Sequence, residues 1–164
     1  MTASEMLERL VGFATVSRDS NLELIRFIEG YLDQFNVEHW RVENDDGSKA
    51  NLLARIGPEV AGGVVLSGHT DVVPVDGQPW SSDPFTLTDK GDGKLYGRGT
   101  CDMKGFIACA LAEVPHWIAR GLQRPIYLAL SYDEEVGCIG APRMIDRLMA
   151  EHPRPDAVIV GEPT

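Results

Sequence analysis

Val64-Val65-Leu66-Ser67-Gly68-His69-Thr70-Asp71 joins a short apolar run to a histidine and a carboxylate two residues apart. A run of this length, rich in β-branched residues, reads as a buried strand. His69 and Asp71 then fall just beyond it, where an open α/β sheet collects its functional groups. Further acids stand in the same relation to later apolar runs: Asp102 after Leu95-Tyr96, Asp133-Glu134-Glu135 after residues 126–130, and Glu162 after residues 157–160. Histidine and carboxylates are the donors that zinc and related cations take.

Local geometry gives these groups separate parts. In an extended backbone residues i and i+2 point the same way, so Asp71 can accept a hydrogen bond from the His69 ring nitrogen that faces away from a metal. Adjacent side chains diverge, so in Glu134-Glu135 one carboxylate can ligate while the other stands free as a base beside a metal-bound water. Gly97-Arg98-Gly99-Thr100 supplies flexible backbone before Asp102. Taken singly, each feature has a plain reading: a surface His-x-Asp, a solvated pair of glutamates, an N-cap aspartate, a loop acid. Their recurrence at every strand end points to a site.

The rest of the chain fits a layered, largely parallel α/β sheet with flanking helices. Thr2-Ala3-Ser4-Glu5 has the form of a capping box ahead of Met6, Leu7, Leu10 and Val11, and Leu24, Ile25, Ile28, Leu32 and Phe35 recur at helical spacing. Residues 38–42, 51–56 and 64–67 read as strands, and residues 71–92 as a long loop. Residues 103–118 read as a helix whose last turn Pro115 should disturb. Residues 126–130 and 157–160 read as buried strands. Between them a helix opens at Gly140-Ala141-Pro142, with Met144, Ile145, Leu148 and Met149 facing inward.

With 164 residues, 43% hydrophobic and 24% charged, the chain suits one globular domain. A net charge of -10 argues against nucleic acid and suits a cationic or zwitterionic partner. No signal peptide or membrane-length apolar run is found, so no membrane partner is expected. Three cysteines at unrelated spacings suggest neither disulfides nor a thiolate metal site, which fits a cytoplasmic protein. Cys101 reads as a small buried thiol, His39, His116 and His152 as structural or exposed, and Trp40, Trp80 and Trp117 as packing or loop anchors.

Four stretches together resemble the dinuclear zinc amidohydrolase and peptidase group: Ser67-Gly68-His69-Thr70-Asp71-Val72-Val73-Pro74, Leu95-Tyr96-Gly97-Arg98-Gly99-Thr100-Cys101-Asp102-Met103-Lys104-Gly105, Asp133-Glu134-Glu135-Val136-Gly137 and Gly161-Glu162-Pro163-Thr164. The group includes acetylornithine deacetylases, succinyl-diaminopimelate desuccinylases, aminoacylases and related carboxypeptidases. Val75-Asp76-Gly77-Gln78-Pro79-Trp80 and Thr15-Val16-Ser17-Arg18-Asp19-Ser20 are most similar to the first of these.

The resemblance implies hydrolysis of an N-acyl amino acid, N-acetyl-L-ornithine to L-ornithine and acetate, as in arginine biosynthesis. It implies two Zn2+ ions, with Co2+ as a substitute. His69 and Glu162 would be terminal ligands of one, Asp102 the bridge, Glu135 a ligand of the second, Asp71 the group that orients His69, and Glu134 the general base. Residues 1–164 would be the N-terminal part of a zinc-peptidase-like catalytic domain. A lid domain through which the complete protein forms a homodimer, and a returning segment with a further histidine for the second zinc, are expected beyond it. The alternatives are a noncatalytic metal-binding fragment, another specificity of the same group, and a structural module that takes up no metal.

Overall fold

A computed structural model describes residues 1–163; Thr164, the end of the Gly161-Glu162-Pro163-Thr164 motif, lies outside the described residues. Helices α1 (Ala3–Val11) and α2 (Leu22–Asp33) precede strands β1 (Glu38–Glu43), β2 (Ala50–Ile56) and β3 (Val64–His69). A two-residue hairpin, β4 (Thr88–Asp89) with β5 (Leu95–Tyr96), interrupts the long loop. Helix α3 (Lys104–Arg120), strand β6 (Ile126–Ser131), helix α4 (Ala141–Glu151) and strand β7 (Ala157–Val160) follow.

The main sheet has the order β1-β2-β6-β3-β7. The layered sheet with flanking helices is present, and it is mixed. The strands linked through helices, β3, β6 and β7, run parallel, whereas β1 and β2 form an antiparallel hairpin that joins β6 antiparallel. Parallel strands need long crossovers, which α3 and α4 provide, while the polar turn at Asn44 to Lys49 closes β1-β2 tightly.

Side chains alternate across this sheet. Leu52, Ala54, Ile56, Leu128 and Leu130 pack under α1, α2 and α3, and Leu53, Val65, Tyr127 and Ala129 pack under α4. Helix α1 starts on the capping box, with Thr2 accepting from the Glu5 N–H and the Glu5 carboxylate accepting from the Thr2 N–H. It leaves Met6, Leu7, Leu10 and Val11 for the core.

Helix α3 runs unbroken through Pro115 to Arg120, contrary to the expected disturbance. A proline at this position leaves the carbonyl four residues back without its helical donor. That carbonyl belongs to Leu111, and the buried Tyr31 hydroxyl donates to it at 3.1 Å.

Three burial expectations are corrected. Among the described residues, strand β7 is an edge strand that pairs only with β3, so Val158, Ile159 and Val160 are 58%, 52% and 59% exposed rather than buried. On α4, Met144 and Leu148 face inward, but Ile145 and Met149 flank an open apolar groove beside β7. Cys101 is exposed, because the inward positions of its turn are taken by Met103 and Lys104. Trp40 packs against the α4 side of the sheet and Trp117 against the other core, while the Trp80 indole N–H donates to Gln78 in the loop.

Removing the Tyr31 hydroxyl strands a buried carbonyl. Tyr31→Phe should therefore lower the unfolding free energy by about 1–3 kcal/mol in urea titrations. Adding Pro115→Ala, which restores the helical donor, should recover much of the loss. A Tyr31→Phe variant as stable as the parent contradicts the assignment.

Candidate metal centre

Because β6, β3 and β7 are parallel, their carboxyl ends share one edge, with β3 in the middle. Strand β3 ends in His69, which is 1% exposed. Strand β6 runs into Tyr132-Asp133-Glu134-Glu135 on one side, and β7 into Gly161-Glu162 on the other. Asp102 arrives on the turn ahead of α3. That helix seats closely on β3 because Gly68 has no side chain: a Cβ there would lie 3.0 Å from the Met103 terminal methyl and 3.3 Å from Ile107. Gly161, whose N–H donates to Ser67 O at 3.0 Å, is likewise held against the Phe106 ring, which a Cβ would strike.

All six candidate residues meet at this edge. His69 Nε2 lies 2.9 Å from Asp102 Oδ1, 3.7 Å from Glu162 Oε1 and 3.8 Å from Glu134 Oε2. Two sets, His69 with Asp102 and Glu135, and His69 with Glu134 and Glu162, have donor atoms within 4.8 Å of one another. Tetrahedral zinc with bonds of about 2.0–2.1 Å holds neighbouring nitrogen and oxygen donors about 3.3 Å apart. The observed distances bracket that spacing, so the donor set fits a small divalent cation with only side-chain adjustment.

Asp71 organises the cluster from behind. The sequence suggests a carboxylate partner for His69 Nδ1; the nearer acceptor is the Asp71 main-chain oxygen at 2.9 Å, with Oδ1 at 3.4 Å. The Asp71 carboxylate accepts from the Ser17 hydroxyl at 2.7 Å and from the N–H groups of Glu134 at 3.1 Å and Glu135 at 3.3 Å. Burial opposes ionisation of Asp71, but hydrogen bonds from His69, Ser17 and Glu134 outweigh it and hold its pKa below the usual carboxylate value.

For His69, burial likewise opposes the charge, yet Asp71, Asp102 and Glu162 overcome it and push the imidazolium pKa up to about 9. Burial and the charge of Asp102 raise Glu135, and burial raises Glu162 against the pull of His69. Behind Asp71, Lys104 is buried and donates to Phe13 O at 2.7 Å; burial lowers its pKa to about 7.

The other histidines lie elsewhere. His39 sits against Val37 O, exposed His116 pairs with Glu113, and His152 packs against Trp40 with ring centroids 4.3 Å apart. Supporting residues that the strand-end pattern does not reveal are Ser17, Asn21, Lys49 and Asn51. Asn21 bridges Ala50 and Thr70, and Asn51 ties Tyr132 to Gly140. Polar residues flanking elements are common, and only the early stretch containing Ser17 carried a signal.

A buried histidine ringed by carboxylates at the shared edge of parallel strands defines an α/β chain with a candidate metal centre. Residues 65–164 match the profile of peptidase family M20/M25/M40, and the chain belongs to this family. It is 45% identical over 149 residues to the acetylornithine deacetylase of Shigella sonnei (strain Ss046), covering 88% of this chain and 37% of that protein. It is 46% identical over 147 residues to the acetylornithine deacetylase of Klebsiella pneumoniae (strain 342), with the same coverage of 88% and 37%. The chain thus spans little more than a third of the curated relatives it matches.

Its fold matches the M20 family metallo-carboxypeptidase Sso-CP2 of Sulfolobus solfataricus with a TM-score of 0.81 at 22% identity, over 97% of this chain and 37% of that one. Human carnosine dipeptidase 1 gives a TM-score of 0.77 at 25% identity, over 96% and 38%.

With its pKa near 9, metal-free His69 is protonated at neutral pH, and a cation must displace that proton. Calorimetry near pH 7 in buffers of different ionisation heat should show about one proton released per first ion, and affinity should rise about tenfold per pH unit toward that pKa. Affinity independent of pH, with no proton release, contradicts the protonated His69.

Proposed function

We propose that the chain is the N-terminal part of a zinc-dependent amidohydrolase that converts N-acetyl-L-ornithine to L-ornithine and acetate. The observation that carries this reading is the convergence of His69, Asp102, Glu134, Glu135 and Glu162 in a chain 45% identical to an acetylornithine deacetylase. Histidine with carboxylates suits Zn2+, and Co2+ as a substitute.

His69, Asp102 and Glu162 would hold one ion, and Asp102 and Glu135 would reach a second. When bound, the ions supply an acidified water at neutral pH and positive charge that polarises the amide carbonyl. Glu134 has its N–H fixed by Asp71 and its carboxylate 3.8 Å from His69 Nε2, beside the ion position; on this reading Glu162, at 3.7 Å, is the ligand and Glu134 is the base. It takes a proton from the attacking water and returns it to the departing amine, so that amide plus water become carboxylate and amine. Asp71 holds His69 with Nε2 forward. The net charge of -10 favours approach of a cationic side chain such as that of ornithine.

With His69 given to the first ion, the group His69, Asp102 and Glu135 leaves Asp102 and Glu135 for the second among the described residues. This supports a reading in which a further donor comes from sequence outside residues 1–163, as the 37% span of the relatives allows.

Glu134→Gln in the full-length protein should lower kcat for N-acetyl-L-ornithine by about 10²–10⁴-fold while leaving zinc content unchanged. Undiminished deacetylation by this variant contradicts the assigned base.

A further inference from the structure

Asp133, which opens the Asp133-Glu134-Glu135 turn, has φ +54°, a left-handed conformation that side chains other than glycine adopt at a cost. Aspartate tolerates that conformation better than most side chains, but still less readily than ordinary backbone angles. The backbone there sets where the next two N–H groups point, and both point at the Asp71 carboxylate. An external restraint holds it: Lys49 Nζ lies 2.6 Å from Asp133 Oδ1 and donates to Ser17 O at 2.5 Å. The side chains of Lys49 and Asp133 are only 16% and 15% exposed, so the pair is partly shielded from water and salt.

Lys49 sits one residue before β2, far from the proposed metal ligands in sequence, yet it joins the two segments that converge on Asp71. Ser17 offers its carbonyl to Lys49 and its hydroxyl to Asp71. Asp133 offers its carboxylate to Lys49, while the N–H groups following it bind Asp71. The result is a closed ring of interactions, Lys49 to Ser17 to Asp71 to the Glu134-Glu135 backbone to Asp133 and back to Lys49. Asn51 fastens the base of the same loop, accepting from Tyr132 N–H at 3.1 Å and donating to Gly140 O at 2.9 Å.

We propose that Lys49 and Asp133 are positioning residues: their ion pair holds the left-handed turn that aims Glu134 and Glu135, and thereby sets the affinity of the second metal position. The inference rests on the proposed roles of Glu134 and Glu135. Without the pair, Asp133 relaxes toward ordinary backbone angles, the two N–H groups turn away from Asp71, and Glu135 leaves its place beside Asp102. His69, Asp102 and Glu162 are carried by β3, the α3 turn and β7, and keep their positions.

The test is a Co2+ titration of the full-length protein followed by visible absorption, alongside kinetics with N-acetyl-L-ornithine. Lys49→Met should weaken the second equivalent of Co2+ at least tenfold, leave the first within twofold, and lower kcat at least tenfold with KM within threefold. Lys49→Arg, which keeps the charge, should restore most of both. Wild-type behaviour of Lys49→Met in both assays, or equal weakening of the two equivalents, overturns the proposal. Should Lys49→Met fail to fold, Asp133→Ala removes the ion pair while, unlike glycine, still meeting the cost of the left-handed backbone; it should show the same selective loss, and an unaltered second equivalent overturns the proposal. Full activity of Glu134→Gln would sink the functional reading alone, because the Co2+ readout judges the clamp independently of any substrate.

Discussion

A carboxylate buried beside a histidine is tolerable only if every lone pair it keeps from water finds a donor, since an unpaired buried charge costs several kcal/mol. Asp71, 2% exposed, meets that constraint by drawing two distant segments to the end of β3. Ser17 comes from the connection after α1, His69 from the end of β3, and the Glu134 and Glu135 N–H groups from the turn after β6. None of these segments can move away without stranding the charge. The acids that face the proposed metal positions are therefore placed by the same interactions that close this part of the fold.

The sheet makes that convergence possible. The parallel neighbours β6-β3-β7 send adjacent carboxyl ends to a common edge, and the helical crossovers α3 and α4 are what parallel pairing requires. The antiparallel β1-β2 hairpin contributes no proposed ligand. It still serves the edge, because the start of β2 carries Lys49 and Asn51 to the loop that holds Glu134 and Glu135.

Much of this was legible in the sequence. Helical spacing and the Thr2 capping box marked the helices, and short apolar runs ending in His69, Glu134 and Glu162 marked both the strands and the site, because strand-end chemistry is local. What stayed hidden depends on partners far along the chain. Exposure of β7 reflects its edge position among the described residues rather than its own Ala157-Val158-Ile159-Val160 composition. The Leu111 carbonyl that Pro115 leaves without a helical donor finds one in Tyr31, eighty residues earlier. The roles of Ser17 and Lys49 likewise rest on ordinary polar residues whose partners lie 54 and 84 positions away.

The central claim is that the edge organised by Asp71 is a paired metal site, and anomalous diffraction at the zinc absorption edge from crystals of the zinc-loaded full-length protein tests it most directly. The account predicts one zinc bonded to His69 Nε2, Asp102 and Glu162 at about 2.0–2.2 Å. A second should lie about 3.5–4 Å away, sharing Asp102 and touching Glu135. Zinc bound elsewhere, or a site that stays empty with His69 still hydrogen-bonded to Asp102, would contradict it.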